Sequence, residues 1–272
     1  MIYVLDANYL RSPELATRMN AEPQAKFVIP DVAMLELCKG PEWQSTVRQS
    51  LATVSKCPDR ILMSIDIRDA WAYELWYKRP ITEEILPKEF QTFIRSVLKD
   101  VAAGTSNNGI ATIASTIVPA QSEICANELN DAKNQYSLEG RTNIIKEALG
   151  RELLRSLKNR LPSDTERLKL ILRFSTDLLH THLEKEGWCK NKVRVFIRTK
   201  PLILRCNILH VRHAMEWAIN NGLNSMPPRK MTNDVLDQDY VIIASYFDAI
   251  LSKEKKVIRA DKDLRTILQL DG

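Results

Sequence analysis

Glycine is scarce in this sequence, eight residues in 272, and proline contributes twelve, so collagen-like and low-complexity classes are excluded. Cysteine is scarce as well. The five cysteines, Cys38, Cys57, Cys125, Cys189 and Cys206, form no paired short spacing, which argues against a disulfide scaffold or a zinc knuckle and for a reducing compartment. An apolar signal segment is missing at the N-terminus, where Met1-Ile2-Tyr3-Val4-Leu5 already reaches Asp6, so a cytoplasmic location is expected. No run is long and apolar enough to read as a membrane span. Val101 to Ser122 carries no charged residue, but only Ile110 to Val118 is notably apolar, short of the ~20 residues a spanning helix needs. Internal repeats and heptads are absent too.

What remains is an ordinary globular composition, 44% hydrophobic and 27% charged, in a 31.2 kDa chain that holds one large or two small domains. The net charge of +5 is unevenly spread: 0 over residues 1–65, −4 over 66–140, +10 over 141–215, +1 over 216–230 and −2 over 231–272. A basic block beside neutral or acidic ends suits a polyanion-binding surface. The plainer alternative is a set of solvated helices whose positive faces bind nothing. Lys192, Arg194, Arg198, Lys200, Arg205 and Arg212 fall close together with Trp188 and Phe196 among them, which favours nucleic acid.

Ile2 to Leu5, Phe27 to Ile29, Arg60 to Ile65 and Lys256 to Arg259 read as short strands buried on both faces, as in a parallel sheet. Pro30 and Gly40 bracket a helix from about Asp31 to Lys39. From Ser122 to Lys185 the pattern is helical, with a capping box at Ser163 to Glu166 and breaks at Gly140 and Leu161-Pro162. A further helix is expected from about Asp234 to Ser252. Strands at both ends of the chain and helices between them predict an α/β fold: residues 1–65 and 231–272 form one discontinuous core, and 66–230 a mostly helical insertion.

In an open α/β sheet, ligands bind beyond the carboxyl ends of the strands. Asp6 follows the first strand and Asp261 the expected last one. Asp239 heads a stripe of Ile242, Ile243, Tyr246 and Ile250, and Glu36 lies on the short helix after the second strand. Asp237 competes with Asp239, because a register shift exchanges them. Four carboxylates gathered at one sheet edge would repel one another unless a cation sat among them. Oxygen ligands without His or Cys favour Mg²⁺ or Mn²⁺, and such ions can drive phosphodiester hydrolysis.

Asp6-Ala7-Asn8 after an N-terminal strand, Ile29-Pro30 with Glu36-Leu37, Asp239 with Ile242-Ile243-Ala244, and Val257-Ile258-Arg259-Ala260-Asp261-Lys262-Asp263-Leu264 together resemble the successive motifs of PIN-domain nucleases. The resemblance covers residues 1–65 and 231–272. It implies an α/β/α sandwich with a central parallel sheet and a Mg²⁺- or Mn²⁺-dependent centre acting usually on RNA. By position it makes Asp6, Glu36, Asp239 and Asp261 the metal-binding acids, with Asn8 supporting the first and Asp263 assisting the fourth. Two departures stand out: an insertion absent from small PIN toxins, and Arg259 where the family often has Thr or Ser.

Singly, each acid has an ordinary explanation as a helix cap, a solvated turn or a helix N-terminus. His210 and His213 share a helix face without a third ligand, so a structural or RNA-contacting pair is expected. Trp188 is the one tryptophan considered for base stacking. The leading expectation is a cytoplasmic, metal-dependent endonuclease, on RNA rather than DNA, acting as a toxin or defence effector. A non-catalytic PIN-like module binding nucleic acid or a protein, and a metal-dependent phosphatase, are the alternatives. An inhibitory protein partner and homo-oligomerisation are left open, and no membrane partner is expected.

Overall fold

The four strands of the sheet run parallel in the order β3-β2-β1-β4, formed by β1 (Ile2–Leu5), β2 (Lys26–Ile29), β3 (Ile61–Met63) and β4 (Ala249–Leu251). They belong to a computed structural model that describes residues 1–122, 131–159, 162–219 and 228–270. Register is set by Tyr3 opposite Phe27 and Ala249, and by Val28 opposite Leu62. Val4, Leu5, Phe27, Val28 and Ile29 are fully buried, as a parallel sheet covered on both faces requires. Asp248 fixes the start of β4, because its carboxylate accepts from the Ile2 amide at 2.6 Å.

Helices follow each strand. In chain order they are α1 (Ala7–Leu10), α2 (Pro13–Ala21), α3 (Asp31–Leu37), α4 (Trp43–Leu51), α5 (Ile67–Tyr77), α6 (Lys88–Ala103) and α7 (Asn108–Thr112). After these come α8 (Asp131–Lys158), α9 (Asp164–Lys185), α10 (Lys190–Arg198), α11 (Leu202–Ile219), α12 (Pro228–Ala244) and α13 (Lys255–Gln269). The capping box of α9 forms as expected, Ser163 and Glu166 each bonding the other's backbone amide. α8 is interrupted at Gly150 (φ 70, ψ 165), whereas Gly140, expected to break the helix, lies within it.

The chain divides into two compact units: one of Met1–Ala70, Thr82–Asn127 and Asp239–Asp261, the other of Trp71–Ile81, Glu128–Gln238 and Lys262–Gly272. The first holds the sheet. Residues 82–127, assigned from the sequence to the helical insertion, group with the sheet instead, and 262–272 group with the helical unit. In the helical unit α11 packs against α8 and α9, burying Ile171, Leu179, Leu183, Ile203, Ile208 and Leu209. Within the sheet unit α7 packs so closely on α6 that a Cβ on Gly109 would stand 2.4 Å from the Val97 amide nitrogen.

The last strand and the helix before it differ from expectation. Lys256 to Arg259 is helical, and the strand is Ala249–Leu251, inside the stretch expected to be helix. The reason is periodicity: Val257, Ala260, Leu264 and Ile267 recur at helical spacing and are all buried, so a helix satisfies them where a strand would turn half of them to water.

Candidate active site

Every strand of the sheet has an acid within three residues of its carboxyl end. In sheet order these are Asp66 after β3, Asp31 after β2, Asp6 after β1 and Glu254 after β4. Two further acids join them from helices, and the row divides into two groups.

The first group surrounds Asp6, which is buried at 4% exposure and caps α1. One carboxylate oxygen accepts from the Asn8 amide at 3.2 Å and the other from the Ser252 hydroxyl at 2.5 Å. The Ser252 oxygen also accepts from the Glu254 amide at 3.0 Å, and the Asn8 side-chain amide donates to the Glu254 carboxylate at 2.9 Å. Glu36, from α3, accepts from the buried Tyr240 hydroxyl at 2.9 Å. Burial pushes the Asp6 carboxyl above the usual range, against the Ser252 and Asn8 hydrogen bonds, and the Glu254 charge adds to the rise. Glu36 is raised by burial too, with Tyr240 and Lys39 opposing and Asp6 and Glu254 adding. Asp6, Glu36 and Glu254 therefore form one repelling set.

The second group lies at β2 and β3. Burial raises Asp31 to about 6 and Asp239 to about 7, and in both the Asp66 charge is the next largest cause. Arg68 opposes the rise, holding Asp66 through its own amide at 2.5 Å and its guanidinium at 2.9 Å. Burial also pushes the Cys38 thiol up to about 12, with Asp31 contributing, so this cysteine stays protonated at neutral pH.

Of the expected acids, Asp6 and Glu36 come together. Asp239 belongs to the Asp31 and Asp66 group; its neighbour Tyr240 is the residue that turns to Glu36. Asp261 follows no strand, because it sits within α13 beyond Glu254. Asp263 is an ion-pair residue of the helical unit, meeting Arg212 at 2.8 Å and Arg167 at 3.1 Å, so its charge is already neutralised. Asp237 is partly buried in the stretch of α12 that groups with the helical unit. Sequence reasoning missed Glu254, Ser252, Asp31 and Asp66. The signal for Asp31 and Asp66 was present, since both follow apolar runs as Asp6 does; Ser252 and Glu254 were hidden by the misplaced final strand.

The donors of the first group fit a hard divalent cation: three carboxylates, a carboxamide and a hydroxyl, with no soft ligand. Their oxygens are turned to internal donors, and among the described residues no three of the acids, histidines or cysteines are placed to hold a metal ion.

The expected nucleic-acid residues divide by exposure. Lys192, Arg194 and Arg198 are exposed on α10. The Lys200 ammonium instead donates to the Leu268 carbonyl, and Arg205 donates to the Lys200 carbonyl at 2.9 Å. Arg212 is buried at 4% exposure against Asp263 and Glu216 and cannot reach a phosphate. Trp188 is buried against Phe196, with ring centres 5.0 Å apart, which excludes base stacking. His213 meets Gln238 at 2.7 Å and lies against Trp217, a structural arrangement.

Cys38, Cys57, Cys189 and Cys206 form no disulfide, and Cys125 lies outside the described residues. Among the described residues no helix is long and apolar enough to cross a membrane. No family model, curated protein or solved structure matches the chain.

Proposed function

We propose that the protein is a PIN-like, divalent-metal-dependent endonuclease that hydrolyses phosphodiester bonds in RNA and works in the cytoplasm. The observation that carries this reading is the crowding of Asp6, Glu36 and Glu254 at the carboxyl edge of a parallel sheet, where, beside burial, Glu254 adds to the raised proton affinity of Asp6 and Glu36, and Asp6 to that of Glu36. A cation would relieve that repulsion. Asp6, Glu36 and Glu254 would hold Mg²⁺ or Mn²⁺, which when bound supplies a Lewis acid for water activation and for charge on phosphate oxygens. Asn8 and Ser252 orient the carboxylates, and Tyr240 holds Glu36 in place. The resemblance of residues 1–65 to PIN-domain nucleases supports the same reading, with Glu254 in place of Asp261 as the acid after the last strand.

The deciding experiment measures cleavage of RNA and single-stranded DNA with Mg²⁺ or Mn²⁺ for the wild type, Asp6→Asn, Glu254→Gln and Asp261→Asn. The first two variants should lose at least about a hundredfold in rate, by analogy with the loss of one transition-state-stabilising group, and Asp261→Asn should retain activity. Undiminished cleavage by Asp6→Asn and Glu254→Gln would reject the site.

A second reading is favoured by the engagement of Asp6 and Glu36 with internal donors: a PIN-like module that binds nucleic acid without turnover. Salt-sensitive binding without metal-dependent cleavage is its signature.

A further inference from the structure

The helical unit exposes an aromatic and basic turn at the end of α5. Trp76 is 82% exposed and Tyr77 59%, although rings of this size normally contribute to a core or an interface. Lys78 ends the helix in the left-handed region (φ 53), and Lys78 and Arg79 are both exposed. The Arg79 guanidinium lies 5.3 Å from the Tyr73 ring centre and 5.9 Å from that of Tyr77. The sole acid between Trp71 and Ile81, Glu74, is fully buried and spends both oxygens on backbone amides, so it presents no negative charge here.

This turn is continuous with α10. The Lys78 ammonium stands 5.3 Å over the ring of Trp188, which packs on Phe196 of α10. α10 contains no acid and exposes Lys192, Arg194 and Arg198 on its outer side. Two exposed aromatic rings thus stand beside the exposed Lys78 and Arg79 of the same turn.

We infer that this surface is a platform for single-stranded nucleic acid, with Trp76 and Tyr77 receiving base faces and the neighbouring cations receiving phosphates. Stacking needs unpaired bases with free faces, which a duplex does not offer. A protein-docking face would be depleted of lysine at its centre, and this one has Lys78 beside Trp76. The inference rests on the proposed function for what becomes of the strand, and not for its binding.

The test is fluorescence anisotropy of labelled oligouridine and oligodeoxythymidine of about a dozen nucleotides on the full chain, with metal chelated. Trp76→Ala should weaken binding roughly 5- to 100-fold, as loss of one stacked base predicts. Trp76→Phe should restore most of the affinity, and a duplex of the same length should bind more weakly than the single strand. Because Trp76 is exposed, Trp76→Ala should keep the wild-type circular dichroism and melting temperature, so that lost affinity reports on binding. Equal affinity of Trp76→Ala and wild type would overturn the platform. So would a concentration-dependent dimer, seen by sedimentation, that Trp76→Ala dissolves, since the turn would then be an interface between copies. Binding without any cleavage in metal would sustain the platform and count against the nuclease reading alone.

Discussion

The Ser252 hydroxyl donates to the Asp6 carboxylate at 2.5 Å, tying the carboxyl ends of β4 and β1 together across 246 residues of sequence. The same oxygen accepts from the Glu254 amide, so one side chain positions two acids. Ser252→Ala deletes the donor that most opposes the raised proton affinity of Asp6. If the acids hold a cation, affinity for Mg²⁺ or Mn²⁺ should fall about 10- to 100-fold, the usual effect of removing an outer-shell partner. The measurement is the metal concentration at which the melting temperature rises, for wild type and variant. Identical midpoints would remove Ser252 from the site.

In the same direction as the raised Asp6, Glu36 and Glu74, Asp31 and Asp239 contribute to the pH dependence of stability. Their folded-state values, about 6 and about 7, lie above the ordinary 3.8, so the folded protein keeps protons that the unfolded chain has released. That contribution is complete below the ordinary value and is lost as the pH rises through about 6 to 7. Stability should therefore decline between about pH 4 and about pH 8, nearly all of it below about pH 7. Asp31→Asn with Asp239→Asn should flatten the decline and stabilise the protein at about pH 8 by on the order of 2 kcal/mol. Urea unfolding at both pH values checks this, and parallel curves for wild type and double variant would contradict it.

Local features of this fold were legible in the sequence; features created by distant partners were not. β1, β2 and β3 announced themselves as apolar runs, α3 through Pro30, and α9 through Ser163 and Glu166, because each signal lies within a few residues. Asp6 and Glu36 were found by their distance from a strand end. β4 was missed because Ala249, Ile250 and Leu251 continue the apolar stripe of α12, and only the unpaired edge of β1 makes them a strand. Asp263 and Arg212 looked like a ligand and a phosphate contact because nothing within either local stretch reveals a partner 51 residues away.

Glu74 joins the helical unit internally. One of its oxygens accepts from the Ile81 and Leu202 amides and the other from the Ile203 amide, all at 2.9 Å, so a buried carboxylate closes the N-terminus of α11. Negative charge at that end also meets the helix dipole favourably. Glu74→Ala orphans three buried donors and should cost about 3 kcal/mol or more. Glu74→Gln keeps one acceptor oxygen, enough for two of the three amides, and should cost less. Chemical unfolding ranks the variants; equal loss in both would mean that charge, not acceptor count, is what α11 requires.

Arg212 and Arg194 belong to the same basic segment but should answer mutation oppositely. Arg212 is buried and meets Asp263 and Glu216, so Arg212→Ala leaves Asp263 with Arg167 alone and should cost about 3–5 kcal/mol, the penalty for breaking a buried pair. Arg194 is exposed, and Arg194→Ala should change stability by less than about 0.5 kcal/mol. For nucleic-acid affinity the order reverses. Arg194→Ala should weaken oligonucleotide binding and lower its salt dependence by about one released ion, whereas folded Arg212→Ala should bind as the wild type does. Thermal unfolding and a salt titration of anisotropy on the same two proteins separate the effects. If Arg212→Ala lost affinity without losing stability, the ion pair with Asp263 would not be what holds its guanidinium away from phosphate.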